Sequence, residues 1–284
     1  MGWCRYLLIW KGRWLEKHEA YISLEEPCLL YGGLVYETLR TYNRKLFAGK
    51  YHFDRLKASA GCLHIKIDMD YENFRKIISE GVEKVNCDVS VRIMLLPRGN
   101  ISAFGFETKS YELIIFLEKL NISKFPEKVK VSLSKVRKID DLATPAYLKI
   151  AGRTDILLAK MEKGDAYDVI MLGSKGQVCE GTFSNVFLVK NNTVVTPSLD
   201  SGILPGITRK NVIDLCKSLG ITVEERWVEP IELCDADELF LTHTSRGVVP
   251  VDELSSCKTY SKSVGRFLVS KFEEYIGSIE ENWL

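Results

Sequence analysis

Two short stretches of the sequence combine residue types that could bind a charged cofactor. Residues 180–185 (E-G-T-F-S-N) place the carboxylate of Glu180 at the end of a run typical of a β-strand. Residues 204–209 (L-P-G-I-T-R) place Ile207 and Thr208 at the start of a helix with regular apolar spacing. Free N–H groups at a helix N-terminus bind anions. The two stretches therefore favour a phosphorylated cofactor with a cationic nitrogen, and the alternative is a capped helix beside a solvated glutamate.

The same two stretches, with three others in a fixed order, resemble the motifs of class IV (fold-type IV) pyridoxal-phosphate enzymes. The other segments are residues 31–42 (Y-G-G-L-V-Y-E-T-L-R-T-Y), 52–60 (H-F-D-R-L-K-A-S-A) and 239–251 (L-F-L-T-H-T-S-R-G-V-V-P-V). That family contains branched-chain aminotransferases, D-amino-acid aminotransferases and aminodeoxychorismate lyases. The resemblance covers nearly the whole chain. It implies an α/β (α+β) fold of two domains, pyridoxal 5'-phosphate in a cleft between them, and a homodimer.

Composition sets limits on the class of protein. The chain has 284 residues, of which 46% are hydrophobic and 27% charged, with a formal net charge of +1. These values are ordinary for a globular protein, and no basic block predicts nucleic-acid binding. No apolar run is long enough to span a membrane, and the N-terminus lacks the pattern of a secretory signal. The eight cysteines contain no C-x-x-C pair, so we expect buried free thiols in a reducing cytoplasm and no zinc site.

Apolar periodicity and turn residues predict the order of the elements. Hairpins are expected to turn at residues 11–12, 43–44 and 191–192. Helices are predicted over residues 52–64, 70–85, 153–163, 209–219 and 262–276, and further strands over 89–96, 113–117, 129–136, 169–172, 222–228 and 239–242. We expect a small N-terminal α/β domain over 1–120, a linker over 121–128 and a larger cofactor-binding domain over 129–284.

The resemblance assigns roles to individual residues. Pyridoxal phosphate requires a lysine amine for its aldehyde, an acid for its ring nitrogen and donors for its phosphate. Lys149 is the candidate amine, because K-I-A-G-R-T-D resembles the K-x-x-N-R segment of the lyase branch. Gly152 departs from that pattern, where the family usually has Asn. The alternative for Lys149 is a surface lysine on a loop, with Lys135 and Lys138 as the other candidates for the amine.

The acid and the phosphate donors follow from the same comparison. Glu180 is expected to face the ring nitrogen and keep it protonated. Arg55 matches the arginine of the family that binds the phosphate, and its alternative is a solvated helix residue that pairs with Asp54 or another neighbour. The remaining phosphate contacts implied by the family are Ile207, Thr208 and Thr244. For Thr208 a plain helix N-cap is the alternative.

The substrate contacts are less sharply defined by the motifs. Tyr31 and Tyr36 are placed where the family has pocket aromatics, although aromatics on strands are often core residues. Thr38 matches a threonine proposed to act beside the lysine in the lyases. Ser245 begins S-R-G-V-V-P-V, which resembles the lyase branch more than the aminotransferases. Arg98 starts a loop that lacks the R-x-H carboxylate trap of the D-amino-acid aminotransferases, which disfavours that specificity.

Three functions are compatible with these residues. The first is an aminotransferase that moves an amino group between a small amino acid and a 2-oxo acid, with Lys149 as general acid and base. The second is an aminodeoxychorismate lyase that forms 4-aminobenzoate and pyruvate, with the same lysine assisted by Thr38. The third is a relative that binds the cofactor without turnover. The presence of Lys149, Glu180 and Arg55 disfavours this third function.

Overall fold

The chain divides into two compact units that are not contiguous in sequence. The first unit contains Met1–Ser123, Leu148–Gly152 and Ile279–Leu284, and the second contains Lys124–Tyr147 and Arg153–Ser278. The computed structural model describes residues 6–10, 12–15, 17–102, 105–120, 126–255 and 257–278. Most of the predicted linker, residues 121–125, and Lys11 of the first predicted turn lie outside the described residues.

The first unit is built on an antiparallel sheet of six strands. Their order across the sheet is β2-β1-β6-β5-β3-β4. The strands are β1 (Tyr6–Trp10), β2 (Arg13–Leu15), β3 (Val35–Tyr42), β4 (Lys45–Leu46), β5 (Val89–Ser102) and β6 (Gly105–Lys119). The two central strands predicted at 89–96 and 113–117 are confirmed. Both extend well beyond the apolar runs, because β5 and β6 pair with each other over their full length.

The two long helices of the first unit pack on one face of this sheet, and the short first helix packs on the other. They are the short α1 (Pro27–Leu30), α2 (Gly49–Cys62) and α3 (Tyr71–Val85). The carboxylate of Asp70 caps α3 by accepting a hydrogen bond of 2.8 Å from the backbone N–H of Asn73. Apolar residues at helical spacing, such as Phe74 and Ile78, are buried against the strands. Both long predicted helices of this region are confirmed.

The second unit contains a mixed sheet of ten strands. The main path runs β12-β11-β10-β9-β8-β7-β15-β16, and β13 pairs with β10 and with β14 beside it. The strands are β7 (Lys130–Leu133), β8 (Asp168–Leu172), β9 (Val178–Gly181), β10 (Asn185–Lys190), β11 (Thr193–Pro197), β12 (Val223–Arg226), β13 (Glu238–His243), β14 (Gly247–Pro250), β15 (Glu253–Leu254) and β16 (Lys258–Thr259). Every predicted strand of this region has a counterpart here.

Four helices accompany the second sheet. They are α4 (Thr154–Glu162), α5 (Ile207–Ser218), α6 (Pro230–Asp235) and α7 (Ser263–Ser278). The predictions for α4, α5 and α7 are confirmed, whereas α6 is too short to give a clear periodic signal. Within the described part of the chain, no helix has the length and apolar character needed to cross a membrane.

Two hairpin turns are set by residues that tolerate a left-handed backbone. Asn43 and Arg44 have φ values of 51° and 62°, and Asn191 and Asn192 have values of 49° and 61°. Two consecutive positive φ angles define the two-residue turn that matches the twist of paired strands, and asparagine adopts them at low cost. Both turns lie where the sequence predicts them.

The expectation of free thiols is wrong for one pair of cysteines. Cys234 and Cys257 form a disulfide that joins α6 to the β15–β16 hairpin, with a Cα–Cα distance of 5.9 Å. The pairing was not visible in the sequence because the two cysteines are 23 residues apart. Five other cysteines of the described residues are free, and of these Cys179 and Cys216 are buried as expected.

Candidate functional site

Glu180 is a buried carboxylate held from three directions. It is the second-last residue of β9, and only 10% of its side-chain surface is exposed. One oxygen, Oε2, accepts hydrogen bonds of 3.0 Å from Asn185 Nδ2 and from the backbone N–H of Leu204. The other, Oε1, lies 2.7 Å from Nζ of Lys138. The alternative of a solvated turn glutamate is therefore wrong.

Asn185 joins this carboxylate to the start of α5. Its Nδ2 donates to Glu180 and also, over 3.1 Å, to the carbonyl of Leu204. A Cβ atom added to Gly206 would lie only 1.9 Å from Asn185 Oδ1, so a larger residue here would displace the side chain of Asn185. The E-G-T-F-S-N and L-P-G-I-T-R stretches are thus one connected structure in the second unit.

The N-terminus of α5 is not capped by a side chain. Gly206 is the N-cap and has no side chain with which to cap the helix. Ile207 and Thr208 are the first two helical residues, so their N–H groups have no acceptor within the helix. The interpretation of Thr208 as a plain N-cap is therefore wrong. Its buried side chain lies in the first turn, where the helix dipole also favours a negative charge.

A row of polar residues crosses three neighbouring strands beside Glu180. Asn185 of β10 is paired in register with Glu180 of β9 and with Thr242 of β13. The hydroxyl of Thr242 is buried and makes no hydrogen bond with the described residues. Thr244, predicted as a phosphate contact, follows two residues later at the turn between β13 and β14. The strand pairing therefore places the C-terminal end of β13 near Glu180.

Asp168 fixes the loop that follows Glu180. Its Oδ1 accepts from both the N–H and the hydroxyl of Thr182, at 3.0 and 2.7 Å, and its Oδ2 accepts from Ser184 Oγ at 2.7 Å. Burial raises the pKa of Asp168, while these hydrogen bonds act in the opposite direction. No local motif of the sequence marks Asp168, because its partners follow β9 and it stands at the start of β8.

An aromatic group adjoins the loop of Thr244 and Ser245. Tyr167 OH and His243 Nε2 are 2.7 Å apart, and the ring of Phe183 packs edge-on against both. Burial raises the pKa of Tyr167 to about 12, so its hydroxyl stays protonated at neutral pH. This group ties the turn after β13 to the E-G-T-F-S-N segment. Phe183 within that motif was the available sequence signal.

Lys149 lies in the first unit and is fixed by its backbone. Its N–H donates to Ser59 Oγ at 3.1 Å, and its carbonyl accepts from the N–H of Tyr36 at 3.0 Å. Its ammonium lies 4.9 Å from the centre of the Tyr36 ring. The side chain is half-buried, so the alternative of an ordinary surface lysine is not supported.

The departure from the family pattern at Gly152 has a conformational explanation. Gly152 has a φ of 83°, in the left-handed region that only glycine and asparagine adopt easily. Glycine and the asparagine usual in the family meet the same backbone requirement. A Cβ at this position would lie 3.2 Å from the Cα of Gly32, which is close but not prohibitive. The substitution therefore leaves the assignment of Lys149 intact.

Arg55 takes part in a buried group with Glu37 and His52. It donates from Nε and Nη2 to the two oxygens of Glu37 at 2.6 and 2.8 Å. His52 Nδ1 lies 2.7 Å from the same carboxylate. Burial alone would raise the pKa of Glu37, but Arg55 and His52 outweigh it and hold the pKa far below its usual range. Arg55 is therefore not a solvated helix residue, and Asp54 pairs with Lys50.

Burial favours the neutral form of the His52 ring. Burial lowers its pKa, Glu37 acts to raise it, and the charges of Arg55 and Lys149 lower it further. Because the charge of Lys149 contributes to lowering the pKa of His52, the two side chains are near enough to interact electrostatically. His52 Nε2 is buried and without a hydrogen-bond partner among the described residues.

The predicted substrate residues occupy different environments within their units. Tyr36 and Thr38 alternate with the core residues of β3 and share one half-exposed face of that strand. Tyr31 is 74% exposed. Arg98 is ion-paired with Glu26 and, at 2.7 Å, with Glu112, so two carboxylates of its own unit already bind the guanidinium. These contacts do not support a substrate-anchoring role for Arg98. Ser245 lies half-buried in the turn after β13.

The donor set of the chain fits pyridoxal phosphate. The second unit offers a buried carboxylate for a protonated ring nitrogen, connected to an uncapped helix N-terminus for a phosphate. The buried hydroxyl of Thr242, which has no partner among the described residues, adds a further polar group at this place. The first unit offers the amine of Lys149 and the guanidinium of Arg55. An aldehyde, a basic ring nitrogen and a phosphate are the groups that such residues bind.

Known proteins are similar to this chain in sequence and in fold. Residues 34–254 match the family described as Amino-transferase class IV. A probable branched-chain-amino-acid aminotransferase of Thermotoga maritima is 46% identical over 283 residues, which cover 98% of this chain and 99% of that protein. The aminodeoxychorismate lyase of Bacillus subtilis is 29% identical over 262 residues, covering 89% and 88%. A crystal structure of a putative branched-chain amino acid aminotransferase from Thermotoga maritima superposes with a TM-score of 0.88 at 44% identity and covers 99% of each chain.

The fold and these residues define a fold-type IV enzyme, which confirms the resemblance seen in the motifs. The chain belongs to the class IV aminotransferases, a family of pyridoxal-phosphate-dependent enzymes. Its chemistry is the transfer of an amino group. The protein is therefore an enzyme, and the hypothesis of a relative that binds the cofactor without turnover is not supported.

Proposed function

We propose that this protein is an aminotransferase that binds pyridoxal 5'-phosphate and exchanges the amino group of a branched-chain amino acid with a 2-oxo acid. The observation that supports it best is the linkage of Glu180, through Asn185, to the uncapped N-terminus of α5. An acid for a cationic ring nitrogen and N–H donors for a phosphate are required together by this cofactor and by few others. The name of the Thermotoga relative supports the class of amino acid.

The cofactor, when bound, supplies an aldehyde that bonds amines and a ring that accepts electrons. Lys149 Nζ would hold the aldehyde carbon and, once the amino group of the substrate has displaced it there, the released amine would take the proton from Cα of the amino acid. Glu180 would accept a hydrogen bond from the protonated ring nitrogen. The guanidinium of Arg55 and the hydroxyl of Thr208 would each donate to the phosphate.

The second group of phosphate and substrate contacts completes the proposal. Ile207 and Thr244 contribute further donors to the phosphate. Tyr36 and Thr38 line the side-chain pocket, since they share one face of β3, and Tyr36 also contacts the ammonium of Lys149. Tyr31 and Ser245 are also proposed as substrate contacts, on the basis of the sequence motifs alone. The Thermotoga relative, a probable branched-chain-amino-acid aminotransferase, supports an amino acid as one of the substrates.

The assembly that we propose is a homodimer. Several large apolar side chains between residues 21 and 31 are exposed, which is unusual for a monomer and typical of an interaction surface. They are Tyr21, Leu24, Leu29, Leu30 and Tyr31, with between 52% and 85% of their surface exposed. Sedimentation velocity of the native protein and of Leu24→Glu tests this assignment. A monomeric native protein would contradict it.

We also propose that the enzyme works in the cytoplasm. Five of the seven cysteines in the described residues are free thiols, as is usual in a reducing compartment. The Cys234–Cys257 disulfide is the exception. Fractionation of the source cells, followed by detection of the protein in each fraction, tests the location.

A panel of substrates tests the function directly. The purified protein loaded with pyridoxal phosphate is given 2-oxoglutarate with amino acids of both hands, including leucine, isoleucine, valine and alanine. We expect the branched-chain amino acids to react fastest, and an amino acid alone should convert the bound cofactor to its amine form. A parallel sample receives aminodeoxychorismate. Release of pyruvate there, without reaction of any amino acid, would replace the proposal with the lyase that the S-R-G-V-V-P-V segment resembles.

A further inference from the structure

Lys138 is a buried lysine to which the proposed reaction assigns no role. It lies after β7, and its backbone N–H donates to the carbonyl of Leu172 in β8 at 2.9 Å. Only 3% of its side chain is exposed. A lysine is rarely buried to this degree unless its charge is paired. Its partner is the carboxylate of Glu180, with Nζ 2.7 Å from Oε1.

The hydrogen bonds of Glu180 leave a defined direction for one more donor. Each carboxylate oxygen can accept about two hydrogen bonds. Oε2 receives two, from Asn185 and Leu204, whereas Oε1 receives only that of Lys138 among the described contacts. Lys138 therefore occupies one side of Oε1 and leaves the other for an N–H group. A protonated ring nitrogen is such a group.

We propose that Lys138 is a positioning residue that fixes the carboxylate of Glu180 and aims the open side of Oε1 at the ring nitrogen of the cofactor. This inference rests on the proposed function. Without the ammonium, Oε1 loses the donor that fixes its direction, and the buried carboxylate loses its charged partner. A carboxylate that turns away from the ring nitrogen stabilises its positive charge far less than one that faces it. Lys138 thus acts on the reaction only through Glu180.

The pairing itself is tested in the cofactor-free protein by a double-mutant cycle. Lys138→Met and Glu180→Gln each leave one buried charge without its partner, so each should lower the melting temperature by roughly 5 °C or more. Lys138→Met combined with Glu180→Gln removes both charges and should recover most of that loss. Lys135→Met is the matched control, because this lysine is exposed on the same loop. Additive losses in the cycle would overturn the pairing.

The role in positioning is tested with the cofactor bound. Lys138→Met should lower the maximal rate of the first half-reaction about tenfold or more, with little change in the half-saturating amino-acid concentration. Lys138→Arg keeps the charge and should restore much of the rate. The double variant should be no slower than Glu180→Gln alone, because Lys138 has no other target.

The outcomes separate this inference from the proposed function. If Lys138→Met matches the native enzyme in rate, or if Lys138→Arg is as slow as Lys138→Met, Lys138 has no positioning role. If the native protein does not bind pyridoxal phosphate, the proposed function fails and the positioning role fails with it. The cycle in the cofactor-free protein still decides whether the two charges are coupled.

Discussion

Glu37 and Arg55 form a two-point ion pair inside the first unit, with Arg55 Nε 2.6 Å from Oε1 and Nη2 2.8 Å from Oε2 of Glu37. Both oxygens of the carboxylate are used, and the second also contacts His52 Nδ1. The planar guanidinium is therefore fixed in orientation by its own unit. If Arg55 binds a phosphate, as we propose, it does so as a preorganised group.

Glu37→Gln should destabilise the protein by about 3–5 kcal/mol at pH 7, because Arg55 loses the partner that compensates its buried charge. The pKa of Glu37 is lowered in the folded state, so its contribution exists above the pKa of an unfolded glutamate and is lost as the pH falls. The difference between native and variant should therefore shrink on going from pH 7 to pH 3. Urea unfolding at both pH values measures it. Glu72→Gln is the control, since its pair with Arg75 is exposed.

His52 should make the protein less stable as the pH falls. Its pKa is lowered by burial, so below about pH 6.5 the unfolded chain binds a proton that the folded protein does not. This one group can cost at most about 1.4 kcal/mol per pH unit. His52→Gln should unfold with a weaker dependence on pH between about 6.5 and 5. His18→Gln should match the native protein, since His18 is exposed, and an equal dependence in both variants would contradict the assignment.

Lys149 should be the residue that bonds the cofactor. Borohydride reduction of the loaded protein, followed by peptide mapping, should place the pyridoxyl group on Lys149. Lys149→Ala should lose the visible absorption of the lysine-bound cofactor and at least about a thousandfold of the transfer rate. Lys135→Ala should keep both. A label on Lys135 or Lys138 would show that the amine is misassigned.

Glu180→Gln should keep the cofactor bound but slow transfer by about a hundredfold or more, since the ring nitrogen loses the charge that keeps it protonated. Stopped-flow measurement of the first half-reaction separates this effect from binding. Glu224→Gln serves as a control, because it removes a half-exposed carboxylate that pairs with Arg226. Near-native transfer in Glu180→Gln would mean that another acid faces the ring.

The Cys234–Cys257 disulfide should stabilise the second unit by about 2–4 kcal/mol, mainly by restricting the unfolded chain between the two cysteines. Cys234→Ser should lower the melting temperature, and added reductant should then have no further effect. Cys62→Ser changes an exposed free thiol and should leave the melting temperature unchanged. A native protein whose melting temperature is insensitive to a strong reductant would contradict the stabilising role.

Local signals in the sequence predicted most of the elements. The apolar spacing of α3 and the asparagines of the hairpin turns at 43–44 and 191–192 encode their conformation within a few residues. The E-G-T-F-S-N motif correctly indicated a buried acid near a helix N-terminus. These features depend on neighbours in the chain, and therefore a sequence displays them directly.

Other features of the site depend on partners far away in the chain. The sequence marks Lys138 only as a possible amine, because no residue near it in the chain indicates its ion pair with Glu180. In the sequence Asp168 is only the first residue of an apolar strand, but in the structure its carboxylate accepts hydrogen bonds from the loop that follows Gly181. The disulfide likewise required knowing that α6 and the β15–β16 hairpin are adjacent. Such contacts arise only once the sheet has brought its strands together.

The return of Leu148–Gly152 to the first unit has a consequence for how the protein is made. Leu148 is part of the buried core of that unit, and the N–H of Ala151 donates to the carbonyl of Leu34 at 2.7 Å. A nascent chain released up to residue 147 already contains the first sheet but not this segment. No single cut of the polypeptide yields both units whole. The first unit therefore cannot be completed during synthesis until this segment, which contains the proposed catalytic lysine, has been made.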